Sequence, residues 1–161
     1  MKNEKELLER ANSPFSIYYK LKWHKFLIYF SLWFRAVACI LRACNLIFGL
    51  QWGEYKEDIY SLQPKIAQID ILFGILFIAL AIFIVHARFK LASFHPSSVS
   101  LLLTQFILFP ILSNFYARAI NTAAEVELLD LSEGAGLFIS AIILMIVSYF
   151  YYKKRYLLFI K

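Results

Sequence analysis

Two arginines inside an apolar stretch are the residues of this sequence most able to do chemistry. Arg35 and Arg42 lie in FRAVACILRACNLIFG, residues 34–49, which otherwise reads as a membrane-spanning helix. Seven residues make two helical turns, so both arginines lie on one face, about 10 Å apart along the axis. A charge at the bilayer centre costs at least ~2.5–3.5 kcal/mol on insertion scales. Guanidinium groups kept there either fix the packing of a helix bundle or oligomer, or bind an anionic or polar ligand in a cavity.

Small and polar residues continue the face that carries the two arginines. They recur at steps of three or four residues, the period of an α-helix, and comprise Ser31, Arg35, Ala38, Arg42, Asn45 and Gly49. Because the other faces are apolar, we expect this stripe to face the interior of a helix bundle or an aqueous cavity.

The other apolar stretches offer partners for the two arginines. Asp70 begins the second stretch, at the same predicted depth as Arg42, and we expect the two to be within reach. Arg35 has no acid at its depth, and we expect water or an anionic group in a cavity to be its main counterpart. Its neutral neighbours are predicted to include Thr104, Gln105, Ser140 and the carbonyl of Phe106, which Pro110 deprives of its helical donor. The predicted ligand-binding set is Arg35, Arg42, Asn45, Asp70, Gln105, Asn114 and Arg118.

The second and fourth apolar stretches also have faces that could pack against the stripe with the two arginines. In the second stretch Asp70, Gly74, Phe77 and Ala81 share one face. In the fourth stretch Gly136 and Ser140 form a small-xxx-small pair, a pattern that allows close helix approach in membranes.

The composition indicates that much of the protein surface lies in a membrane instead of water. The chain has 161 residues, of which 61% are hydrophobic, and its mean hydropathy is +0.63. Soluble domains are about 45–50% apolar. The net charge is +6, but the basic residues flank the apolar stretches, which indicates membrane topology rather than nucleic-acid binding.

Four apolar stretches predict an all-α protein, a bundle of four transmembrane helices within residues 25–152. They cover about 25–49, 70–89, 98–120 and 134–152, each long enough to cross a hydrocarbon core of roughly 30 Å. Residues 1–24 mix aromatic and basic side chains and predict an interfacial segment on an anionic leaflet. Residues 153–161 form a basic tail.

The charges of the connecting segments predict the orientation. Basic residues dominate the N-terminal segment, the link between the second and third helices, and the tail, whereas acidic residues dominate the other two links. The positive-inside rule therefore places both termini in the cytoplasm, as a multi-pass protein of a plasma membrane.

Catalytic machinery is not predicted. His24, His86 and His95 have no nearby carboxylate in sequence, and no metal-ligand spacing or catalytic triad occurs. Cys39 and Cys44 point to different sides of their helix and do not form a redox pair. We predict that the protein is not an enzyme and uses no cofactor.

Three short stretches carry a resemblance to a family. The combination of KWHKFLIYFSLW (residues 22–33), HARFKLASF (86–94) and YYKKRYLLF (151–159) resembles small four-helix integral membrane proteins of gut Firmicutes, some of which follow an N-terminal zinc ribbon. This chain has no such ribbon. The resemblance implies a bacterial plasma (inner) membrane and implies neither an activity nor site residues.

These patterns leave several functions open. The first is binding or transport of a small anionic or polar ligand, or of a lipid headgroup, in an outward-facing polar cavity. The second is a non-catalytic accessory or assembly subunit whose polar stripe docks a membrane partner, and the third is a small pore-forming effector. Four short helices enclose little volume, so we expect a homo-oligomer or a membrane partner beside the lipid bilayer.

The predicted orientation can be tested with reporter fusions. A reporter fused after Lys161 should behave as cytoplasmic, and reporters inserted within residues 49–68 or 121–133 should behave as external. A reporter at Lys161 that is active only outside the cell would contradict the four-helix topology.

Overall fold

The chain folds into helices joined by short links. This computed structural model describes residues 21–130 and 132–159, with the backbone alone at residues 132, 133, 156 and 157. In chain order the elements are α1 (Lys22–Phe26), a π-helical turn (Leu27–Ser31), α2 (Leu32–Ile47), a 3-10 segment (Leu50–Tyr55), α3 (Lys56–Leu62), α4 (Pro64–Ala92), α5 (Ser98–Ala124), α6 (Ser132–Lys153) and a 3-10 segment (Tyr156–Phe159).

The all-α prediction is confirmed, because the described residues form helices and no strand. Four helical spans are long and apolar enough to cross a membrane, namely Lys22–Leu62, Pro64–Ala92, Ser98–Ala124 and Gly134–Lys153. Most of the predicted interfacial segment, residues 1–20, and the last two residues of the tail lie outside the described residues.

Glycine and proline set the boundary between the first two spans. Gly49 ends the helical run after α2 with φ of +64°, and Gly53 redirects the link with φ of +55°, both conformations that favour glycine. Pro64 occupies the first turn of α4, where its missing N–H costs nothing. The helix therefore starts six residues before Asp70, and the prediction that Asp70 begins it was wrong.

The spans pack in chain order. The first span is one continuous helix, made of α1, the π-helical turn and α2, and it packs against α4. In turn α4 packs against α5, and α5 packs against α6. Close packing between α2 and α6 is not seen in the described chain. The predicted face of α4 is buried at all four positions, Asp70, Gly74, Phe77 and Ala81. This buried face of α4 is therefore where the neighbouring helices meet, and we call it the seam of the bundle.

The polar stripe of α2 lies beside the seam of the bundle and does not form it. The fully buried face of α2 comprises Leu32, Ala36, Cys39, Ala43 and Leu46. Arg35, Ala38 and Arg42 are half-buried beside that face, and Asn45 is exposed. Small residues, not polar ones, allow the closest helix approach, because two helices in lipid associate mainly through van der Waals packing.

Links at the two ends of the bundle differ in charge. We call the end with residues 48–63 and 125–130 the acidic end, because its links carry Glu54, Glu57, Asp58, Glu125, Glu127 and Asp130. The opposite end, with residues 93–97 and the described part of the tail, is the basic end.

An aromatic cluster closes the basic end. His24 is only 4% exposed, its Nδ1 lies 2.9 Å from the hydroxyl of Tyr152, and its ring stacks on Phe94 at 4.7 Å. Phe159 packs edge-on against Tyr152 at 5.4 Å. His24 is thus a buried member of this cluster, because the chain after α6 folds back over it.

We predict that the α2–α4 contact limits the stability of the bundle. A methyl group on Gly74 would lie 2.5 Å from Cγ1 of Ile47 and 3.3 Å from the carbonyl oxygen of Ala43. Gly74→Ala should lower the free energy of unfolding by about 1–3 kcal/mol, as overpacking commonly does, measured by thermal unfolding in detergent.

Gly136→Ala is the matched control, because a methyl group there would meet no heavy atom within 4 Å. It should leave the melting temperature unchanged or raise it slightly, since alanine favours helix. Equal melting temperatures for the two variants would show that α2 and α4 do not approach as closely as the structure places them.

Candidate functional site

A cavity lies among α2, α5 and α6, and neither α5 nor α6 is among the helices packed closely against α2 in the described chain. Its volume is about 170 Å³. Three helices line it. The lining includes Arg35 and Ala38 from α2, Phe106 and Pro110 from α5, and Leu137 and Ser140 from α6. We call it the inner cavity.

A second cavity adjoins the first on the side of the acidic end. Its volume is about 400 Å³, and its polar lining comprises Arg42, Ser113, Asn114, Tyr116 and Asp130. Phe109 and Leu137 border both cavities, so the two lie side by side along α5 and α6. We call the second cavity the outer cavity and the whole the α2–α6 groove.

Arg35 enters the groove with only neutral partners. Its Nη2 donates a long hydrogen bond of 3.5 Å to the backbone carbonyl of Gln105, and its Cζ lies 4.9 Å from the centre of the Phe106 ring. Among the described residues no carboxylate forms an ion pair with it. Of the neutral partners predicted for Arg35, the described chain shows a backbone carbonyl, that of Gln105, and not the freed carbonyl of Phe106.

Arg42 lies over an aromatic ring instead of meeting an acid. Its Cζ is 5.5 Å from the centre of the Tyr116 ring, and the hydroxyl of Tyr116 donates to Asp70 at 2.7 Å. The predicted contact between Arg42 and Asp70 is therefore wrong: Tyr116 stands between them, and no ion pair joins them in the described chain.

Asp70 is a fully buried carboxylate held by neutral donors. It is 0% exposed. Its oxygens accept hydrogen bonds from Gln51 Nε2 at 3.2 Å, Trp52 Nε1 at 2.8 Å, Tyr60 Oη at 2.7 Å and Tyr116 Oη at 2.7 Å. A carboxylate has about four acceptor sites, so these donors saturate it. Asp70 is thus an anchor for the acidic end and does not line the groove.

The remaining predicted residues fall in different places. Asn114 lines the outer cavity, and its amide donates to the carbonyl of Pro110 at 2.9 Å. Arg118 is exposed and lines a separate hollow on another side of α5, and Asn45 is exposed on α2. The side chain of Gln105 is fully buried, and neither of its polar atoms has a hydrogen-bond partner in the described part of the chain.

Reasoning from the sequence missed the donors around Asp70. Gln51, Trp52 and Tyr60 lie in a link that shows no helical period, so their convergence follows from the bends at Gly49 and Gly53. The one available signal was a lone acid in an apolar stretch, because such a group must find donors nearby.

Asn121 also has a role that the sequence did not indicate. Its Oδ1 accepts from the backbone N–H groups of Leu128 at 3.0 Å and Leu129 at 2.9 Å, and its amide donates to the carbonyl of Leu129 at 2.8 Å. This side chain holds the link that leads to α6, which forms one wall of the groove.

Within the described residues no three His, Cys, Asp or Glu side chains are grouped to hold a metal ion. Cys39 and Cys44 are both free thiols. Comparisons with models of protein families, with curated proteins and with solved structures find no match to this chain. The groove and the buried Asp70 network are therefore the features from which its function must be argued.

A double-mutant cycle tests the arrangement around Asp70. We predict a coupling between Asp70→Asn and Tyr116→Phe of 0.5–3 kcal/mol, about the range for residues in contact. The coupling between Asp70→Asn and Arg42→Gln should be smaller, because Tyr116 separates the two groups. Unfolding in detergent provides the measurement, and a larger coupling for the Arg42 pair would contradict the geometry.

Proposed function

We propose that this chain is a small integral membrane protein that binds an anionic or polar ligand in the α2–α6 groove. One observation supports this most strongly: two guanidinium groups, Arg35 and Arg42, border adjoining cavities, and no described carboxylate forms an ion pair with either. The carboxylate placed to pair with Arg42 is engaged by other donors.

The neutral contacts of the arginines do not neutralise their charge. A cation over an aromatic ring gains ~0.5–2 kcal/mol, and the hydrogen bond from Arg35 to Gln105 is at the long limit. The cost of a buried charge without an opposite charge is larger than either gain. An anionic ligand supplies the missing charge, and a guanidinium can bind a phosphate or carboxylate at two points.

The lining supports a ligand with both polar and apolar parts. Polar groups at the outer cavity include Ser113 and Asn114, which can orient a ligand by hydrogen bonds. At the inner cavity Phe106, Phe109 and Leu137 provide apolar surface. The two regions differ in polarity along the groove, which is the usual division in a site that recognises one molecule in one orientation.

The orientation proposed from the charges puts the outer cavity on the external side of a bacterial plasma membrane. Each copy presents its groove on one side of the bundle instead of through its centre. One copy therefore supports binding, and transport across the membrane requires a second copy or a partner to complete a path.

Thermal unfolding in a neutral detergent tests the proposal, with inorganic phosphate as the probe anion. Binding to the folded state adds about 2.7 kcal/mol at a ligand concentration of 100 times Kd, so phosphate should raise the melting temperature of the parent. Arg35→Lys should fold normally and show a smaller rise, since lysine keeps the charge but lacks the planar fork.

Arg35→Leu separates a binding role from a structural one. Without anion it should melt at or above the parent, because it removes a costly charge from a membrane-spanning helix, and phosphate should raise its melting temperature less than that of the parent. Lys65→Gln, at an exposed position of α4, is the charge control and should respond like the parent. An Arg35→Leu variant that melts clearly below the parent would contradict the binding role.

A further inference from the structure

We infer that the ligand of the α2–α6 groove is an anionic phospholipid, with its phosphate at Arg42 and its acyl chain along the inner cavity; this inference rests on the proposed function. It names the class of ligand and the direction from which the ligand enters. The observations that carry it are the sideways opening of the groove and the contrast between its two cavities.

The groove opens towards the bilayer. At the inner cavity Phe34 is 67% exposed and Leu137 is 37% exposed, although both lie within membrane-spanning helices. An exposed surface at that depth faces acyl chains instead of water. Because α2 and α6 are not closely packed, a molecule already in the bilayer can enter between them without crossing a protein wall.

The inner cavity suits a hydrocarbon chain. Apart from Arg35 and Ser140, its lining is apolar. A free hydrated anion would have to lose its water against Phe106, Phe109 and Leu137, and burial of a charge without full pairing is costly. An acyl chain meets these side chains at no such cost, and the ester oxygen that precedes it is an acceptor for the Arg35 guanidinium.

The outer cavity suits a phosphate headgroup. Arg42 supplies the charge, and Ser113 and Asn114 supply hydrogen-bonding groups. Asp130 also borders this cavity, but it has an interaction of its own, and the described chain shows no ion pair between it and Arg42. About 10 Å of helix separates Arg42 from Arg35, so one molecule that extends along α2 can contact both.

A lipid fits the dimensions of the groove better than a protein helix does. One turn of a helix with its side chains, a cylinder about 10–12 Å across and 5.4 Å long, occupies roughly 420–610 Å³, so the two cavities, of about 170 Å³ and 400 Å³, together hold only about one turn. A partner helix would have to push α2 and α6 apart, and a single acyl chain would not.

Native mass spectrometry from a neutral detergent tests the inference. The protein is titrated separately with phosphatidylglycerol, phosphatidylcholine and inorganic phosphate. One phosphatidylglycerol should bind per chain, roughly tenfold more tightly than phosphatidylcholine, which carries its own cation beside the phosphate. Arg42→Gln should remove most of this preference, Arg35→Leu should weaken phosphatidylglycerol binding, and Lys65→Gln should leave both unchanged.

The outcomes distinguish the two proposals. Binding of inorganic phosphate without a preference for phosphatidylglycerol would overturn the lipid inference and leave the proposed function standing. Absence of binding by all three probes would overturn both. A phosphatidylglycerol preference that survives Arg42→Gln and Arg35→Leu would overturn the lipid inference, because the lipid would then lie elsewhere. A bound membrane polypeptide that either arginine variant releases, with no lipid bound, would replace it by the accessory role.

Discussion

The rest of the structure depends on the satisfaction of one buried carboxylate. Asp70 is fully buried at the seam of the bundle, where an unsatisfied charge would be prohibitively costly. Its donors come from the 3-10 segment, α3 and α5, so one residue of α4 ties the acidic end together. The same network fixes the ring of Tyr116, on which Arg42 lies. The position of the outer arginine is therefore set by an acid that it does not touch.

The groove follows from an uneven distribution of small residues. Gly74 and Ala43 let α4 and α2 approach closely, and close packing on that side turns the arginine face of α2 away from the seam. On the other side α6 packs against α5, and Gly136 of α6 has no neighbouring helix near its Cα. The gap between α2 and α6 thus accompanies the tight α2–α4 contact, and Arg35 and Arg42 border the cavities that lie in it.

Periodic features could be predicted from the sequence, and convergent ones could not. The four spans and the buried face of α4 follow from apolar length and helical period. The partners of Asp70 depend on bends at Gly49 and Gly53, and the burial of His24 depends on Phe159, which is 135 residues away and folds back over it. The helical period predicts that Arg35 and Arg42 lie on one face of α2. The direction in which that face points depends on how closely α4 approaches α2, which the small residues of α4 determine.

We propose that Arg35 and Arg42 face an anionic group from the membrane in the α2–α6 groove. The most direct measurement is an experimental structure of the protein in a lipid nanodisc that contains phosphatidylglycerol. We expect an ordered headgroup within hydrogen-bond distance of Arg42 and an acyl chain beside Phe106 and Leu137. A groove closed by direct α2–α6 contact, or filled by another helix whose acidic side chain pairs with either arginine, would contradict it.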